Sequence, residues 1–78
     1  MSYVTHIITM LDKAGAERSF QNKKYLDDAV REVLGMQHAN WEEVWSKVKA
    51  LMQGPDREKW KSFESQVVRL VVKKNISG

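Results

Sequence analysis

Apolar residues return at helical spacing along almost the whole chain, and this limits the fold more than any other feature. Helical side chains advance by about 100° per residue, so one face repeats at i, i+3, i+4 and i+7. Tyr3, Val4, Ile7, Ile8, Met10, Leu11 and Ala14 share one face, with Thr5, His6, Thr9, Asp12 and Lys13 opposite. Ser2 is placed to cap this segment and Gly15 to end it in a left-handed conformation. A strand over Tyr3–Thr9 fails because Ile7 and Ile8 are adjacent.

Residues 16–22, AERSFQN, have no period and read as a loop with Phe20 as an apolar plug. The second segment starts near Lys23, after a cap at Asn22. It buries Tyr25, Leu26, Ala29, Val30, Val33 and Leu34, sets Asp27, Asp28, Arg31 and Glu32 opposite, and ends at Gly35. The third opens on a capping box, Asn40 with Glu43. Its stripe is Trp41, Val44, Trp45, Val48, Leu51 and Met52, closed by Gly54, with Pro55 in the first turn of the next helix.

The fourth segment carries Trp60, Phe63, Val67, Leu70 and Val71 on one face, with Val68 and Val72 as a shoulder. Four valines in residues 67–72 lower helix propensity, so a terminal strand competes there. The period running back through Trp60 favours helix, and the tail Asn75–Gly78 is expected to fray. The expectation is a single all-α domain over 1–78, a compact four-helix bundle or orthogonal helical array with helices near 3–14, 23–34, 41–53 and 56–74.

This pattern narrows the chemistry. Without cysteine there is no disulfide, zinc knuckle or thiol nucleophile, which suits a reducing cytoplasm. No apolar run approaches the ~20 residues that span a bilayer, and the start lacks a secretory signal's pattern, so no membrane role is expected. His6 and His38 fit no metal spacing and read as solvated, and Asp28 with Glu32 reads as a solvated pair. Ser19, Ser46, Ser62 and Ser65 lack GxSxG or SxxK contexts, and the glycines lie scattered at segment ends. The expectation is a non-enzyme without a cofactor.

Binding is the remaining class. The net charge of +3 lies wholly in residues 55–78, where six basic groups face three acidic ones. Lys59, Arg69 and Lys73 line one edge of the fourth helix, with Ser62 and Gln66 between them. With Lys23 and Lys24 they form the nucleic-acid alternative, although +3 is small for that role. A helix-turn-helix docking of the third segment is disfavoured, because Glu42 and Glu43 would face phosphates. Trp41, Trp45 and Trp60 read as core, with one of the first two deep and the other near the rim. The valine shoulder exceeds what one buried face needs. The leading expectation is therefore a small interaction or regulatory protein that contacts a protein partner or its own copy through Glu64, Val68 and Val72.

Overall fold

The computed structural model describes residues 2–77, with side chains from Tyr3 onward. The order is a 3₁₀ helix Ser2–Ile7, then α1 (Thr9–Lys13), α2 (Phe20–Leu34), α3 (Trp41–Gln53) and α4 (Arg57–Ser77). No strand occurs among the described residues, and the array measures 33 × 25 × 20 Å. The four helical segments of the all-α expectation are present.

The first segment is not one α-helix. It runs as 3₁₀ to Ile7, turns at Ile8 and becomes α-helical only at Thr9. Val4, Thr5, Ile7, Ile8 and Thr9 are all β-branched, and such a run resists the α conformation. The face survives the change: Tyr3, Val4, Ile7, Met10 and Leu11 are buried. Gly15 adopts φ +67°, which ends the segment as expected. The expected cap at Ser2 rests on a side chain outside the described residues.

α2 begins three residues before its expected start. Ser19 has extended backbone, and its hydroxyl accepts from the Asn22 amide at 3.1 Å, so Ser19 is the cap. Asn22 is instead buried inside the helix, where its Nδ2 donates to the Glu17 carbonyl at 2.8 Å. Phe20 becomes the first helical residue and is 74% exposed, not a plug. Gly35, at φ +67°, closes α2, and the Met36 amide donates back to the Arg31 carbonyl at 2.8 Å.

α3 starts on Asn40, whose side chain accepts from the Glu43 amide at 2.9 Å. The reciprocal bond differs from a standard capping box: Glu43 accepts from the Asn40 side-chain amide at 3.0 Å. Trp41 lies outside the buried stripe. Helical side chains lean toward the N-terminus, and a first residue has no preceding turn to cover it. Val44 and Val48 are buried, and Trp45 packs on the core, which makes it the deeper of the two. Pro55 precedes α4 instead of opening it. Asp56 is the cap, accepting from the Lys59 amide at 3.1 Å.

α4 is helical through all four valines and on to Ser77. Asn75 Nδ2 donates to the Val71 carbonyl at 3.0 Å, and Ser77 Oγ donates to that of Lys73 at 2.7 Å. These bonds satisfy late carbonyls, and the helix extends to Ser77 through the tail expected to fray; Gly78 lies outside the described residues. α4 packs against α1, α2 and α3, most extensively against α2. A helix with neighbours on three sides needs a wider apolar face, which is why Val68 joins the packed residues beside Phe63, Val67 and Val71.

Candidate functional site

The polar face expected on α2 is split by the fold. Asp27 and Arg31 form an ion pair at 3.1 Å with side chains only 15% and 16% exposed. Both Asp27 oxygens accept from Arg31 Nε, at 3.1 and 3.2 Å. The Tyr3 hydroxyl donates to Asp27, and Arg31 donates to the carbonyls of Ala39, at 2.5 Å, and Met36, at 3.4 Å. One cluster thus ties the 3₁₀ helix to α2 and to the turn before α3. All these bonds run inward, so the cluster acts as a clamp on the fold.

Burial and the hydrogen bond to Asp27 push the Tyr3 phenol far above its ordinary range. Below about pH 10 the phenol is protonated in both the folded and unfolded chain, and its contribution is fully present. Above that the unfolded chain releases the proton while the fold retains it, so stability falls as pH rises, by up to about 1.4 kcal/mol per unit. In a Tyr25→Phe background, phenolate absorbance is therefore expected only as helical circular dichroism is lost. A phenolate signal from an intact helical fold would contradict the assignment. Tyr3→Phe is expected to flatten this part of the alkaline slope.

His6 is exposed but stacks on Trp45, with ring centroids 4.8 Å apart and planes 16° from parallel. Tyr3 lies on Trp45 as well, at 6.4 Å. His6 is thus not simply solvated, whereas His38 is exposed on the turn. Asp28 and Glu32 do not act as a pair, because Lys74 of α4 engages Glu32 at 3.1 Å. Among the described residues, no group of three or more His, Asp or Glu is placed to hold a metal ion.

The outward side of α4 is where the expected binding residues meet the fold. Glu64 is held by Lys13 of α1 at 2.9 Å, and Val68 packs on the core. Val72 stays 36% exposed. Four residues on, Ile76 is 82% exposed and extends the same line. Ile76 was missed in the sequence because it sits in the stretch expected to fray; the i, i+4, i+8 repeat Val68–Val72–Ile76 was its available signal.

Lys59, Arg69 and Lys73 are all exposed and make no ion pair among the described residues. They span about 21 Å at a helical rise of about 1.5 Å per residue. Between them Gln66 donates to Ser62 at 3.3 Å, so these two groups are partly occupied with each other. Lys59 shares a cleft of about 330 Å³ with Lys47 at the α3–α4 corner. A second cleft, about 400 Å³, runs between α2 and α4 and is lined by Glu32, Val33, Gln66, Arg69 and Leu70. Lys24 is exposed and Lys23 half-buried, and neither lines these clefts. The five basic residues of the nucleic-acid alternative are therefore not gathered on one cleft.

Among the described residues, no helix is long and apolar enough to cross a membrane. No family model, curated protein or solved structure matches the chain.

Proposed function

We propose that this chain is a small non-enzymatic interaction protein, regulatory in role, that contacts a protein partner through the outward face of α4. The observation that carries this reading is the pairing of exposed Val72 and Ile76 with Arg69 and Lys73, cations that make no ion pair among the described residues. Apolar side chains supply the desolvated centre of a contact, and flanking charges select the partner. The absence of cysteine fits a reducing cytoplasmic setting. Glu64 and Val68 now serve as the internal edge of this face.

One observation favours a second reading, nucleic-acid binding: Lys59, Arg69 and Lys73 are exposed along one helix and make no ion pair among the described residues. Affinity capture from host lysate, with and without nuclease, separates the two. The expected result is a nuclease-resistant set of proteins that Val72→Lys/Ile76→Lys loses while its helical signal stays normal. Capture unaffected by that variant sinks the protein reading. Capture that nuclease abolishes, and that falls in a Lys59/Arg69/Lys73 triple alanine variant, establishes the second reading instead.

A further inference from the structure

The cleft between α2 and α4 is charged on one wall only. Glu32 and Arg69 both line it, but the Glu32 carboxylate is neutralised by Lys74 at 3.1 Å. Arg69 has no ion pair among the described residues. Its guanidinium therefore gives the cleft its uncompensated charge. The apolar lining is Val33 and Leu70, half-buried side chains that pack on the core and so cannot collapse further inward. Gln66 turns its amide nitrogen to the Ser62 carbonyl and hydroxyl, both at 3.3 Å, which leaves its own carbonyl as an acceptor.

These three features ask for different parts of one ligand. A guanidinium fork matches a carboxylate, an apolar floor matches a side chain of leucine size, and a side-chain carbonyl matches a backbone N–H. We infer that this cleft takes an acidic segment of a protein partner, with an acidic residue next to a large apolar one. The inference rests on the reading of α4 as a protein-contact helix and places the selective part of that contact on its α2 side. A phosphate backbone fits less well, because it has no apolar group to set against Val33 and Leu70.

Amide chemical-shift titration of the full chain tests this with three probes: blocked Asp-Leu-Leu-Asp, its lysine counterpart Lys-Leu-Leu-Lys, and a short oligothymidylate. The acidic peptide is expected to shift Val33, Gln66, Arg69 and Leu70. Its affinity is expected to fall about tenfold or more in Arg69→Ala, equivalent to about 1.4 kcal/mol, and to hold in Lys59→Ala. Because Arg69 is exposed, Arg69→Ala is expected to leave the helical signal unchanged. The inference fails if the acidic peptide gives no shifts, if the lysine peptide gives the same ones, or if Arg69→Ala binds equally well. Shifts confined to Val72 and Ile76 also overturn it, while leaving the wider reading of α4 intact. Stronger shifts from the oligothymidylate along Lys59, Arg69 and Lys73 overturn both.

Discussion

Asp27→Ala is expected to cost about 3 kcal/mol and to lower the melting temperature by roughly 15 °C. The carboxylate accepts from the Tyr3 hydroxyl and from Arg31 in a largely buried setting. Removing it leaves the phenol without its acceptor and the guanidinium with two carbonyls but no counter-charge. The lost partner, more than the lost bond, sets the size of the effect. The Arg18–Asp12 pair provides the internal contrast. At 2.7 Å it is shorter, and Arg18 draws the Asp12 carboxyl below its usual range, yet both side chains are 52% exposed. Solvent screens such a pair, so Asp12→Ala is expected to shift the unfolding transition far less than Asp27→Ala. Thermal and urea unfolding of both variants decide the matter. If Asp27→Ala shifts the transition no further than Asp12→Ala, the buried clamp contributes little.

That clamp was illegible in the sequence for a specific reason. Periodicity assigns a helix one buried stripe and counts the rest as solvated. It therefore read α2 correctly at Leu26, Ala29 and Val30. Asp27 and Arg31 fall outside that stripe, but the 3₁₀ helix and the 36–39 turn close over them. Knowing this requires tertiary neighbours. α4 shows the same limit from the other side. Its valine shoulder read as surplus, because a two-layer picture gives each helix one face, whereas α4 sits against three helices. The caps at Asn40, Gly15 and Gly35 were readable because capping is local. Ser19 was readable on the same grounds, but Asn22 offered an equally good cap three residues later, and only the burial of Asn22 separates them. Among the site residues, exposure of the basic edge followed from the pattern. The loss of Glu64 to Lys13 did not, since 51 residues separate them.

Leu26→Ala is expected to cost about 3 kcal/mol as well, but by a different route, and the difference makes it useful. Leu26 is fully buried on α2, the helix that packs most extensively against α4. Truncation removes several methylene groups and leaves a cavity that rigid helical neighbours fill only in part. In a domain this small the melting temperature should fall by roughly 15 °C. Leu26 touches no solvent and lies outside both clefts that flank α4. At a temperature where the variant is still folded, partner capture through Val72 and Ile76 should therefore match the parent chain. Val72→Lys/Ile76→Lys should show the reverse, an unchanged transition with capture lost. Lysines at those two exposed positions disturb no core contact, and they place positive charge where the proposed contact needs apolar surface. If Leu26→Ala and the α4 variant lose capture and stability together, the face has no role separate from the fold, and the assignment of function to α4 falls.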